Sequence, residues 1–151
     1  MRRCLPDVNA LLALLDPMHV HHDAAHRWYE ERSPLRLLMC SHLINGVIRV
    51  ASRPKYPNSL GTSKRVREVL QGFVAAVQAE ICEHDVSLLD DAILLNSEQL
   101  TPSRVADLYL LALAVSHGAR LATFDQRIPA GAVAGGTTAL EVMPISHASG
   151  K

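Results

Sequence analysis

The sequence lacks several features that would identify a binding partner from composition alone. Fifteen basic and fifteen acidic residues leave the 151-residue chain without formal net charge, so no overall attraction to nucleic acid is expected. Aromatic residues make up 4% of the chain, and the glycine-rich segment "GAVAGG" lacks the Lys and Ser/Thr of a phosphate-binding P-loop. A nucleic-acid partner would therefore have to be held by a local basic patch or by bound cations.

Cysteines and long apolar runs are also scarce. The chain has an odd number of cysteines, and these are widely spaced among apolar neighbours: Cys4, Cys40 and Cys82. This pattern argues against a disulfide framework or a zinc site and predicts that the thiols are buried. No apolar run approaches the roughly 18 residues of a membrane span, and the N-terminal stretch has no cleavage site of a signal peptide. We therefore expect a soluble, cytoplasmic protein with no membrane partner.

The chain is rich in segments that alternate between strand and helix character. Hydrophobic residues make up 48% of it, enough for one domain with its own core. Strands are predicted at residues 2–5, 35–40, 81–84, 121–124 and 139–143, and helices at 8–15, 21–32, 42–52, 62–80, 90–96 and 101–118. This alternation predicts a single α/β domain over residues 1–145 around a mostly parallel sheet, with a disordered tail at 146–151.

Three aspartates occupy positions where a ligand site could form. Asp7 and Asp125 each follow a predicted strand, and Asp107 lies in the first turn of the helix that leads into the second of these strands. Singly, Asp7 could be a helix N-cap, Asp107 could complement a helix dipole and Asp125 could open a turn. Together at one edge of a parallel sheet, the three carboxylates would repel one another unless a hard cation such as Mg²⁺ or Mn²⁺ neutralised them. Such a site suits phosphodiester hydrolysis.

Four segments carry a family resemblance. The stretches "LPDVNALLALLD", "SHLINGVIRVASRP", "VADLYLLALA" and "LATFDQRI" resemble, in order and spacing, the motifs of the PIN-domain ribonucleases, in particular the VapC toxins of bacterial toxin–antitoxin pairs. The resemblance implies a three-layer α/β fold with about five parallel strands, a homodimer, a cognate antitoxin, and Mg²⁺- or Mn²⁺-dependent cleavage of RNA. It also implies that Asp7, Asp107 and Asp125 are the catalytic, metal-binding residues and that Asn9 and Thr123 support the site.

One position departs from the family pattern. Ile44 stands in "LINGV" where the family carries an acidic residue before "NG", so three carboxylates would surround the metal in place of four. A nuclease with weaker metal binding and a nuclease that uses another acid are both consistent with this change. The alternative function is a catalytically impaired PIN-like domain that binds RNA or an antitoxin without hydrolysis.

A cluster of basic residues is a candidate RNA contact. Arg49, Arg53 and Lys55 lie around a loop marked by Pro54 and Pro57. Side chains of this kind could follow an RNA backbone, although charged residues on exposed helices are more often simply solvated.

Overall fold

The computed structural model describes residues 1–145, so the tail predicted at 146–151 lies outside the described residues. The strands are β1 (Arg2–Pro6), β2 (Leu35–Met39), β3 (Glu80–Ile81), β4 (Arg120–Thr123) and β5 (Leu140–Val142). The helices are α1 (Val8–Leu15), α2 (His22–Glu31), α3 (Ser41–Ala51), α4 (Ser63–Val77), α5 (Val105–Ser116) and α6 (Gly136–Ala139). Short 3-10 turns lie at Ser97–Gln99, Pro102–Arg104 and Ala130–Ala132. The predicted α/β alternation is confirmed.

All five strands form one parallel sheet in the order β3-β2-β1-β4-β5. The chain adds β2 and β3 on one side of β1 and then returns to place β4 on the other side, so the strand order reverses between β1 and β4. In open parallel sheets, ligands bind beyond the carboxyl ends of the strands at such a reversal. The topology therefore predicts a ligand site at the residues that follow β1 and β4.

Helices cover both faces of the sheet. Successive strand residues point to opposite faces. One apolar core contains Leu5, Leu38 and Leu121 with residues of α3, α4 and α5, and the other contains Cys4, Leu37 and Ala122 with residues of α1 and α2. All three cysteines are buried free thiols, as predicted. Within residues 1–145, no helix is both long and apolar enough to cross a membrane.

Two local predictions are wrong. The helix expected at 90–96 is a series of turns, because the Asp90 carboxylate accepts the Ala92 N–H at 2.9 Å and Leu94 bridges to Val133. A short side chain that binds the nearby backbone in this way competes with helix formation. Helix α3, predicted to begin at residue 42, begins one residue earlier, at Ser41. The cap is Cys40, whose Sγ accepts the Leu43 N–H at 3.5 Å.

Candidate active site

Asp7 is fixed where β1 passes into α1. Its backbone is extended and its N–H donates to the carbonyl of Ala122 in β4, at 3.0 Å. Its Oδ1 accepts the N–H of Ala10 at 2.8 Å, so the residue is the N-cap of α1 as predicted. The residue is 9% exposed, and its second carboxylate oxygen, Oδ2, is free of this cap and directed toward β4.

Thr123, the last residue of β4, joins Asp7 to Asp125. Its buried hydroxyl donates to Asp7 Oδ2 at 2.6 Å and accepts the N–H of Asp125 at 3.0 Å. One hydroxyl therefore sets both the direction of the Asp7 carboxylate and the backbone course after β4. Thr123 therefore holds both aspartates in position.

Asp107 reaches the same region from the first turn of α5. It lines, with Asp7 and Asp125, a cavity of about 270 Å³ that we call the acid cavity. The full lining of the acid cavity is Asp7, Val8, Asn9, Ala106, Asp107, Leu110, Thr123 and Asp125. The structure thus brings together the three aspartates and the two supporting residues that the sequence suggested.

The carboxylates of the acid cavity have different electrostatic surroundings. Burial raises the pKa of Asp7, as do the neighbouring charges of Asp107 and Asp125, against the opposing effect of the hydrogen bonds from Thr123 and Ala10. The Arg127 backbone N–H and the Arg104 guanidinium lower the pKa of Asp125. Burial of Asp7 beside two other acids makes the inner end of the cavity unfavourable for a further negative charge unless a cation is present.

Arg104 is a site residue that the sequence analysis missed. It ends the 3-10 turn before α5, and its Nη1 donates to Asp107 Oδ2 at 3.0 Å and to Asp125 Oδ2 at 2.8 Å. The spacing of Arg104 and Asp107 is a sequence signal for an ion pair on one helix face. Nothing local indicates the contact with Asp125, which is 21 residues away.

Asn9 is held by a second residue that the sequence analysis missed. His19 Nδ1 accepts the backbone N–H of His21 at 3.0 Å, so in the neutral ring the proton is on Nε2. That Nε2 lies 3.0 Å from Asn9 Oδ1 and donates to it. Asn9 therefore presents its amide N–H donors, rather than its oxygen, to other groups at the cavity.

The donor atoms of the acid cavity fit a hard divalent cation in kind. Mg²⁺ and Mn²⁺ prefer carboxylate oxygens, and three carboxylates surround the cavity. In their present positions, however, no three His, Cys, Asp or Glu side chains within residues 1–145 converge closely enough to hold an ion. Arg104 donates hydrogen bonds to one carboxylate oxygen of Asp107 and one of Asp125.

Ile44 lies outside the acid cavity. It is half-buried and lines a separate, mainly apolar groove of about 490 Å³ between α3 and α4, together with Ile48, Leu70 and Val74. Its side chain also packs against the apolar core that contains residues of α3, α4 and α5.

The cations predicted to contact RNA lie near the C-terminal end of α1, away from Asp7 at its N-terminal end. Arg49, Arg53 and Lys55 are exposed, and none takes part in an ion pair among the described residues. The loop after α3 is tied to Asp16, the C-cap of α1, by hydrogen bonds from Tyr56 and Asn58. The nine residue steps from Asp7 to Asp16 place that end of α1 roughly 13 Å from Asp7 along the helix axis.

Comparison with known proteins gives consistent matches over most of the chain. The family model described as PIN domain matches residues 4–133. Ribonuclease VapC44 of Mycobacterium tuberculosis H37Rv is 39% identical over 135 residues, which cover 89% of this chain and 94% of that protein. Ribonuclease VapC38 of the same strain is 36% identical over 122 residues, which cover 80% and 84%.

A solved structure shares the fold. The crystal structure of M. tuberculosis VapC20, described as a sarcin-ricin loop cleaving toxin, superposes with a TM-score of 0.58 over 86% of this chain and 95% of that one. Its sequence identity is 13%, so the likeness is one of fold alone.

Proposed function

This chain belongs to the PIN domain family, and from that membership we propose that it is a Mg²⁺- or Mn²⁺-dependent endoribonuclease acting as the toxin of a toxin–antitoxin pair. The observation that carries the proposal is the acid cavity, which Asp7 and Asp125 line from the carboxyl ends of β1 and β4 and Asp107 lines from the first turn of α5. The names of the relatives VapC44 and VapC38, both ribonucleases, support the same chemistry.

In this proposal the three aspartates hold the divalent ion and are the catalytic residues. The bound ion would activate water and offset the charge that develops on the phosphodiester. Asp7, aimed by Thr123 and by the N-terminus of α1, would provide a carboxylate of fixed orientation. Thr123 would keep Asp7 and Asp125 in register, and the Asn9 amide would donate to a phosphate oxygen. Because these groups are already oriented, they can stabilise the charge of the transition state with little movement of the protein during the reaction.

The partners follow from the same premise. RNA is the proposed substrate, with Arg49, Arg53 and Lys55 as exposed cations that could pair with its backbone at a distance from the cut. We propose a cognate antitoxin as protein partner, the cytoplasm as location, and a homodimer, for which the mass in solution should be twice the 16.5 kDa of the chain.

The alternative of a domain that binds without hydrolysis rests on Ile44. Ile44 lines the groove between α3 and α4 and is not among the residues that line the acid cavity. The Ile44→Glu variant separates the two proposals, because it restores an acid at the position where the family carries one. Cleavage by the natural protein supports the enzyme, and cleavage by Ile44→Glu alone supports the binder.

The direct mutational test is Asp7→Asn in an RNA cleavage assay with Mn²⁺. Asparagine can still accept the Ala10 N–H as an N-cap and can donate to the Thr123 hydroxyl, so the fold should persist while the negative charge is lost. We expect cleavage to fall by at least about 100-fold, the upper range for loss of groups that support a metal site. Asp91→Asn, at an exposed position outside the cavity, should cleave normally. Equal rates for the two variants would contradict the assignment.

A further inference from the structure

A cation of the chain itself lies between two of the carboxylates of the acid cavity. The same Arg104 nitrogen, Nη1, donates to Oδ2 of Asp107 and to Oδ2 of Asp125, at 3.0 and 2.8 Å. The two oxygens therefore converge on one point, and that point is occupied by a guanidinium group. A Mg²⁺ ion would need such oxygens at about 2.1 Å, closer than the nitrogen allows while it remains between them.

The position of Arg104 depends on these two carboxylates. Its side chain is 19% exposed, and its side-chain hydrogen bonds within residues 1–145 go to Asp107 and Asp125. The backbone of Arg104 is held separately, because its N–H donates to the carbonyl of Thr101 at 2.8 Å. The guanidinium can therefore leave the carboxylates without disturbing the turn that begins α5.

We propose, on the basis of the proposed function, that Arg104 is an internal counter-ion that bridges two carboxylates of the acid cavity and must release them before the divalent cation binds. The guanidinium lowers the repulsion between Asp107 and Asp125 in the metal-free protein. It also makes metal binding a competition, so the apparent affinity for the divalent ion is set partly by the strength of the Arg104 contacts. Arg104 thus regulates the occupancy of the site.

Arg127 provides an internal comparison. Its backbone N–H and Nε approach Asp125 Oδ1, at 2.8 and 3.4 Å, and its side chain is 84% exposed. It has no hydrogen bond to Asp107 among the described residues, and it uses the other oxygen of Asp125. An arginine that merely adds positive charge near Asp125 is therefore available as a control for an arginine that bridges the two acids.

The test is Mn²⁺ binding, measured by calorimetry on metal-stripped protein. Arg104→Gln should bind Mn²⁺ at least about tenfold more tightly than the natural chain, because it removes the charge from both contacts and one charge-assisted contact is of the order of a tenfold change in affinity. Arg127→Gln should stay within about twofold, and Arg104→Lys, which keeps the charge, should lie between the natural chain and Arg104→Gln. The Asp125→Asn variant shows whether the heat of Mn²⁺ binding comes from the acid cavity, because it removes one of the proposed ligands.

The outcomes separate this inference from the proposed function. If Asp125→Asn weakens Mn²⁺ binding but Arg104→Gln leaves it unchanged or weaker, Arg104 does not compete with the ion and only this inference fails. If Asp125→Asn has no effect on Mn²⁺ binding, the cavity is not the metal site and both fail. A second readout uses the natural chain: Mg²⁺ should shift the guanidinium ¹⁵N resonance of Arg104, assigned by its loss in Arg104→Lys. A resonance unmoved at saturating Mg²⁺ would overturn the competition.

Discussion

At the scale of single residues, Thr123 is the connection on which the acid cavity depends most. Its hydroxyl is buried and satisfies two groups at once, the Asp7 carboxylate and the Asp125 N–H. A hydrogen bond to a charged group contributes about 1.5–3 kcal/mol, and its loss leaves a buried oxygen without a partner. The side chain therefore bears on stability as well as on the orientation of Asp7.

Thr123→Val should lower the free energy of unfolding by about 2 kcal/mol, because valine keeps the volume but removes both hydrogen bonds. Thr123→Ser keeps the hydroxyl and should cost less. Urea denaturation in EDTA measures the difference without any contribution from bound metal. Stability of the valine variant equal to that of the natural chain would show that the hydroxyl does not hold the two aspartates.

The sequence revealed the acids of the cavity but not the residues that neutralise or orient them. Asp7, Asp107 and Asp125 can be located because each sits at a recognisable end of a strand or helix. The partners Arg104 and His19 cannot be located in this way, because each contacts a residue that is distant in sequence. Arg104 is 21 residues from Asp125, and His19 is 10 residues from Asn9. Residue type and local pattern carry no information on such pairings.

At the scale of elements, the end of α1 and the loop after α3 are fastened by one buried acid. Asp16 is 1% exposed, and its Oδ2 accepts from the Tyr56 hydroxyl and from Asn58 Nδ2, at 2.5 and 2.8 Å. Burial acts to raise the pKa of Asp16, but the hydrogen bonds from Tyr56, Asn58 and the Met18 N–H outweigh it, and the net shift is downward. The ionised carboxylate therefore stabilises the fold.

Tyr56→Phe should reduce the free energy of unfolding at pH 7 by about 2 kcal/mol, because one hydrogen bond to a charged acceptor is lost. The folded pKa of Asp16 lies below its unfolded value of about 3.9, so this contribution is present above that value and declines as pH falls through the folded pKa. The difference between the two proteins should thus narrow below about pH 4. Tyr29→Phe is the control, since the Tyr29 hydroxyl has no hydrogen bond among the described residues. A gap that stays constant from pH 7 to pH 3 would contradict this explanation.

Apolar periodicity predicted most of the elements, with one exception at residues 90–96. The strands that became β1, β2, β4 and β5 and the helices α1 to α5 follow apolar periodicity, which packing on both faces of a parallel sheet reinforces. The segment 90–96 has similar apolar content, but Asp90 and the bridge to Val133 turn it instead. The Asp90 contact is local but does not alter apolar periodicity, and the bridge from Leu94 is to a residue far along the chain, so periodicity detects neither.

At the scale of the whole molecule, the order of the strands places the chemistry. β1 and β4 are adjacent, although more than a hundred residues separate them, and this adjacency brings Asp7 beside Thr123 and Asp125. The sequence indicated a parallel sheet but did not give the strand order by periodicity. The family resemblance implied about five parallel strands, which the structure confirms, but the order of the strands comes from the structure alone.

The most direct test of the central claim is RNA cleavage by metal-stripped protein as Mn²⁺ is added. A metal-dependent nuclease should show no cleavage in EDTA and cleavage that rises to saturation with Mn²⁺, and Asp125→Asn should cleave at most weakly at the same Mn²⁺ concentration. Cleavage that persists in EDTA, or a full rate from Asp125→Asn, would contradict a metal-dependent nuclease built on Asp7, Asp107 and Asp125.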